Sequence, residues 1–126
     1  MRPLLLLLLY PLAVVGTAAP LSPAARAEID ALMTRLETSG CEVNRNGTWY
    51  PAGDARSHLV TKLSYLEERG AVENAEQFIE RAASKSSMSG HSYLIKCGVN
   101  PPVETGTWLT LQLQGIRASA PVANPP

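Results

Sequence analysis

The sequence is short of the groups that most catalysis and most nucleic-acid binding need. It holds two histidines and two cysteines in 126 residues. A zinc site would need more ligands than these distant positions supply, and their spacing matches no zinc motif. Neither charge sign is in excess, with eleven Lys and Arg against eleven Asp and Glu. The basic residues come singly, so the basic stripe of a nucleic-acid binder and the polybasic patch of a membrane-surface protein are both missing. No Gly-x-Ser-x-Gly elbow and no Ser-x-x-Lys pattern occurs, which removes two familiar settings for a serine nucleophile. There are no internal repeats. The one apolar run, Leu4 to Leu9 with Leu12, Val14 and Val15, is short and broken by Pro11, too short to span a bilayer comfortably.

That run is instead read as part of an export signal. Arg2 supplies a positive start, the leucines an apolar centre, and Gly16, Thr17, Ala18 and Ala19 the small residues that a signal peptidase requires. Cleavage is expected after Ala18, because Pro20 would sit at a disfavoured position after a cut at Ala19. The expected organisation is a signal peptide over 1–18, one domain over 19–117, and a disordered Ala/Pro-rich tail over 118–126. About 108 mature residues suffice for one domain with one core. No cysteine follows the apolar run closely enough for lipid attachment, so a periplasmic or secreted product free of the membrane is expected. In an oxidising compartment Cys41 and Cys97 can pair, closing a loop of roughly sixty residues that is worth about 4 kcal/mol in the chain-entropy model.

Punctuation and periodicity mark the elements. Ser22-Pro23 opens a helix, Ile29, Leu32, Met33 and Leu36 recur at helical spacing, and Gly40 closes it. Asn46-Gly47 between Cys41–Arg45 and Thr48–Tyr50 is a hairpin signal, since both turn residues need positive φ. A two-residue turn pairs Arg45 with Thr48, Asn44 with Trp49, and Val43 with Tyr50. Cys41, Val43, Arg45, Thr48 and Tyr50 then share one face, and Glu42, Asn44 and Trp49 the other. A second helix is expected from about Ala52–Asp54 to Gly70, and a third from Asn74, with Gln77 as capping-box partner and Ala75, Phe78, Ile79, Ala82 and Ala83 buried. Ser92–Cys97 reads as a strand beside the hairpin. Residues 107–116 fit either a strand, through Leu109, Leu111 and Leu113, or a helix, through Leu109, Leu113 and Ile116 with Thr105 or Thr107 as cap. The helix is preferred, and Trp108 is assigned to the core. The predicted class is α+β: about three antiparallel strands, including the hairpin, with three to four helices and one disulfide.

Within the second helix the stripe 55, 58, 59, 62, 63, 66 places His58 and Lys62 among Ala55, Leu59, Leu63 and Leu66. The commoner arrangement has Lys62 snorkelling past the core edge and His58 in one satisfied hydrogen bond. The alternative adds Arg45, from the hairpin's inward face, to make an anion site with Asn46, Ser87, Ser89 and Gly90 of the loop after the third helix. That loop is otherwise an ordinary helix cap and turn. In a further alternative one serine is a nucleophile activated by His58 or Lys62, although no acidic residue to orient His58 is identifiable. Trp49 is either packed under a helix or exposed as an anchor for a partner. Asp54 suits a cap or helix-dipole role.

Arg45-Asn-Gly47, Ala55, His58-Leu59 with Lys62, Ala75-Glu-Gln-Phe-Ile79, Ala83-Ser84, Ser86-Ser87 and Gly90 with Tyr93 resemble the YfeK-like family of small exported bacterial proteins, which carry a domain of unknown function. The resemblance runs from about residue 24 to 117. It implies a periplasmic α+β domain and brings no reaction. The cysteine pair does not look like a fixed part of the family pattern, which implies that the bridge supports the fold alone. Together these readings predict a non-enzymatic binding or interaction module with a polar, anion-friendly pocket, its partner a small anionic ligand or a periplasmic protein, and no cofactor. The alternative is a small serine-dependent hydrolase using the same pocket.

Overall fold

A computed structural model describes residues 20–120 together with Pro3. Apart from Pro3, the expected signal peptide over 1–18 lies outside the described residues, as do residues 121–126 of the expected tail. The element order is α1 (Pro23–Thr38), β1 (Glu42–Arg45), β2 (Thr48–Pro51), α2 (Ala52–Glu68), α3 (Ala75–Phe78), a π-helical turn (Ile79–Ala83), β3 (Leu94–Lys96), β4 (Val103–Glu104) and α4 (Thr105–Ser119). The α+β class holds, with four strands where about three were expected. The added strand, β4, is two residues long and pairs only with β3.

The helix ends follow the side chains that satisfy their free backbone groups. Ser22 Oγ accepts from the Ala25 amide at 3.1 Å, capping α1 just before Pro23. At the end of α2, Gly70 N donates to Glu67 O and Ala71 N to Leu66 O, the paired bonds of a Schellman motif. Asn74 Oδ1 accepts from Gln77 N at 2.8 Å, and Gln77 Oε1 accepts from Glu73 N at 2.8 Å. This is the reciprocal cap expected there, with its return bond moved back one residue. Residues 107–116 are helical, but neither threonine caps them: Glu104 is the N-cap and makes no side-chain bond. The helix also continues through Ser119, two residues beyond the expected domain boundary at 117.

The sheet has the order β2-β1-β3-β4 and is antiparallel throughout. Register in the hairpin is the expected one: Val43 opposite Tyr50, Asn44 opposite Trp49, Arg45 opposite Thr48. Val43 also faces Ile95 on β3, and both are buried. β1 and β3 are further joined by the Cys41–Cys97 disulfide, 56 positions apart in sequence. The face opposite to Val43 stays open. Trp49 there is 38% exposed, so it lies under no helix.

The core fills the space between the inner sheet face and the helices. α1 packs on α2, α3 and α4, while α2 and α4 reach the sheet. Ile29, Leu32, Leu36, Phe78, Ile95 and Leu109 are almost fully buried, each worth roughly 1.5–3 kcal/mol over exposure. Trp108 is half-buried and packs against this cluster. Arg117 ties α4 to α1 and α3 through Glu28 and Glu76, and the two carboxylates raise its pKa. Among the described residues no helix is long and apolar enough to cross a membrane.

Two substitutions test this framework. Asn46 and Gly47 have φ of 52° and 88°, and nothing lies within 4 Å of a Cβ added at Gly47. Gly47→Val therefore costs backbone strain alone, about 1–3 kcal/mol, read as a lower melting temperature. An unchanged melting temperature would contradict the turn. Reducing the disulfide should lower stability by about 4 kcal/mol, and non-reducing mass spectrometry of the freshly isolated protein should show the two-hydrogen deficit of a bridged pair. Two free thiols in that sample would remove the bridge from the native protein.

Candidate functional site

α2 supplies the first two groups. His58 and Lys62 lie one turn apart and are half-buried at the border of the apolar face made by Ala55, Leu59 and Leu63. Both converge on a residue that the sequence reading did not name for the site, Tyr93. Its hydroxyl lies 3.3 Å from His58 Nε2, and Lys62 Nζ donates to it at 3.3 Å. Tyr93 is buried and held on both sides by its backbone: its N–H donates to Ser84 O, and its carbonyl accepts from Thr105 N, each at 2.9 Å. Lys62 Nζ also donates to the Lys85 carbonyl at 3.2 Å. The polar pair in the apolar stripe is thus satisfied by one phenol and one carbonyl.

Arg45 joins from the inward face of the hairpin, with its guanidinium carbon 5.0 Å from the centre of the Tyr50 ring. Burial lowers the His58 pKa, and the charges of Arg45 and Lys62 lower it further. Burial also lowers the Lys62 pKa, with a smaller contribution from Arg45. A neutral His58 leaves Nε2 free to accept the tyrosine proton while Tyr93 Oη accepts from Lys62. Among the described residues, the ion pairs join Arg26 to Glu67, Arg56 to Glu37, Arg69 to Glu68, and Arg117 to Glu28 and Glu76. Among the described residues neither Arg45 nor Lys62 has a carboxylate partner, so the cluster keeps its positive charge.

The single pocket expected around these residues is divided in two. Arg45 and His58 line a space of about 10 Å³ with Val43, Ala55, Tyr93 and Thr105. It is large enough for one water and too small for a phosphate or carboxylate. Arg45 Nε and Thr105 Oγ1 are buried without a hydrogen-bond partner. Lys62 and Ser87 line a separate open pocket of about 340 Å³, together with Thr61, Tyr65, Leu66 and Arg81. Lys62 is the residue common to the buried cluster and this pocket.

The serine loop is largely occupied with its own structure. Its centre is Ser86, which is buried. Ser86 Oγ accepts from Asn46 Nδ2, Met88 N and Ser89 N, all at 3.3 Å. Ser89 Oγ donates to Asn46 Oδ1 at 2.6 Å, and Gly90 N donates to Ser86 O at 2.9 Å. Asn46 therefore fastens the loop to the hairpin turn through Ser86 and Ser89, Gly90 closes the loop on itself, and Ser87 faces the open pocket. No serine hydroxyl lies within hydrogen-bond reach of His58 among the described residues, which is the contact that the hydrolytic alternative requires.

A larger groove, about 500 Å³, runs between the π-helical turn and α4 past Glu80, Ser84, Glu104 and Leu111. Ser84 Oγ donates to Ile79 O at 2.7 Å across that turn. A methyl at Gly106 would fall 2.6 Å from the same oxygen, so the close approach of α4 requires glycine. The apolar spacing of 75–83 fits an α-helix and its π-turn equally well, and nothing in it announced the groove. Among the described residues no group of three or more His, Cys, Asp or Glu could hold a metal ion.

Residues 23–117 match the profile of a family of unknown function, DUF5329. Among curated proteins, the uncharacterized protein YfeK of Salmonella typhimurium (strain LT2) is 37% identical over 68 residues, 53% of this chain and 55% of that protein. The chain thus spans about half the length of the curated relative it matches. No solved structure matches it.

The His58 environment sets a pH dependence. The unfolded histidine gains its proton near its ordinary value of about 6.5, and the folded one only at lower pH. In that window the unfolded state binds more protons, so stability is full above it and falls as pH drops through it. The melting temperature of wild type should fall more steeply between about pH 7 and 5.5 than that of His58→Gln. Parallel curves would show that His58 titrates alike in both states.

Proposed function

The chain belongs to the DUF5329 family of unknown function, and from that premise we propose that it is an exported, periplasmic, non-enzymatic binding module that recognises an anionic group at Lys62. The observation that carries this reading is the gathering of Arg45, His58 and Lys62 around Tyr93 with no carboxylate among them, next to an open pocket. Arg45 is half-buried beside the small inner space, where it contributes charge, and Lys62 is the point at which the cluster borders the open pocket. A cation whose neighbours are also cationic gains more from an incoming anion than one already paired. The Cys41–Cys97 bridge supports an oxidising compartment, in keeping with the export-like start of the sequence. The hydroxyls of Ser86 and Ser89 are engaged with Asn46 and their own loop, and no serine hydroxyl reaches His58 among the described residues, which favours binding over hydrolysis.

Thermal denaturation tests the reading. Phosphate or sulfate at rising concentration should raise the melting temperature of wild type, as a ligand of the folded state must, and should leave that of Lys62→Met unchanged. Arg45→Met should bind more weakly and be less stable, since it also removes the Tyr50 contact. An equal response in wild type and Lys62→Met would place the effect elsewhere on the surface.

A further inference from the structure

The open pocket beside Lys62 is not uniformly polar, and its make-up narrows the ligand. We infer that it binds a small organic acid: an anionic group held between Lys62 and Arg81, attached to an apolar body lying on Tyr65 and Leu66. This deepens the anion-binding reading above and rests on it.

Hydrogen-bond accounting supports the anionic end. Lys62 Nζ has three donors and uses two, on Tyr93 Oη and Lys85 O, which leaves one for a ligand. Arg81 Nη1 donates to Ala71 O, and a guanidinium carries four further donors. Arg81 is in no ion pair among the described residues. Ser87 adds a hydroxyl at the rim, and no carboxylate lines the pocket. A negative group entering it meets two cations and no repulsion.

The apolar end has equally specific support. Tyr65 is 56% exposed, a large aromatic surface left in water. Arg69 stacks on its ring at 3.5 Å and donates to the Tyr65 carbonyl at 2.9 Å, which holds the tyrosine beside the pocket. Leu66 is only partly buried. A bare inorganic ion would leave this wall wet, whereas an acid with a flat or branched hydrocarbon part would cover it. At about 340 Å³ the pocket is at the small end of ligand sites, which fits a small molecule in place of a polymer.

Binding of 2-naphthoate, acetate and uncharged 2-naphthalenemethanol, followed by calorimetry and by amide chemical shifts of the oxidised protein, tests this. Naphthoate should bind about tenfold tighter than acetate, a factor that burying roughly two methylene equivalents supplies. It should shift amides within 61–66 and 81–87. Tyr65→Ala should remove the advantage of naphthoate over acetate and leave the phosphate response intact. Arg81→Met should weaken both acids. Both positions are exposed, and an unchanged melting temperature without ligand verifies that each variant is folded. If phosphate stabilises the protein but naphthoate binds no better than acetate, this inference fails and the anion reading stands. Equal binding of the acid and the alcohol overturns it as well, since the anionic end would then contribute nothing. If no anion binds at all, both fall.

Discussion

The register of β1 is the constraint from which the rest follows. This strand is paired on both sides, with Val43 facing Tyr50 on one neighbour and Ile95 on the other. A slip of one residue would turn Val43 and Arg45 outward and Asn44 inward. The core would lose its central valine, and the cationic cluster would lose the charge that Arg45 brings from below. Two devices prevent the slip. The Asn46-Gly47 turn holds one end through its backbone geometry, and the cystine holds the other. Fold and site thus depend on the same alignment.

Much of the framework was legible in the sequence because it is encoded locally. Ser22 and Asn74 cap the residues that follow them, the spacing of Ile29, Leu32 and Leu36 defines a buried face, and Asn-Gly dictates a tight hairpin. The elements that escaped depend on partners that residue spacing does not reveal. β4 is two residues beside Pro101 and Pro102 and exists because β3 offers it an edge. The π-helical turn is visible only through the Ser84–Ile79 bond and the close approach of Gly106.

The site was legible in its ingredients and not in its partition. His58 and Lys62 stood out because charged or polar residues interrupt an apolar stripe only when something satisfies them. What satisfies them is Tyr93, which alternation alone assigned to a buried strand face like any other aromatic. Tyr93 lines the small space that Arg45 also lines, while Lys62 borders another, open pocket. Volume decided this division, and volume cannot be read from residue spacing. The snorkelling arrangement holds, and it does not use Lys62 up: its ammonium is satisfied internally by two bonds and retains one donor for solvent.

The Cys41–Cys97 bond closes a covalent ring, and both the cluster of Arg45, His58, Lys62 and Tyr93 and every residue lining the open pocket beside Lys62 lie inside it. α1 and α4 lie outside, as two arms that pack on each other. The exposed stretch 87–92 is part of the ring. A protease that cut the chain there would therefore release no fragment: the two pieces would stay joined through sulfur and through the sheet. This wiring makes a nick in that stretch survivable wherever a protease is met.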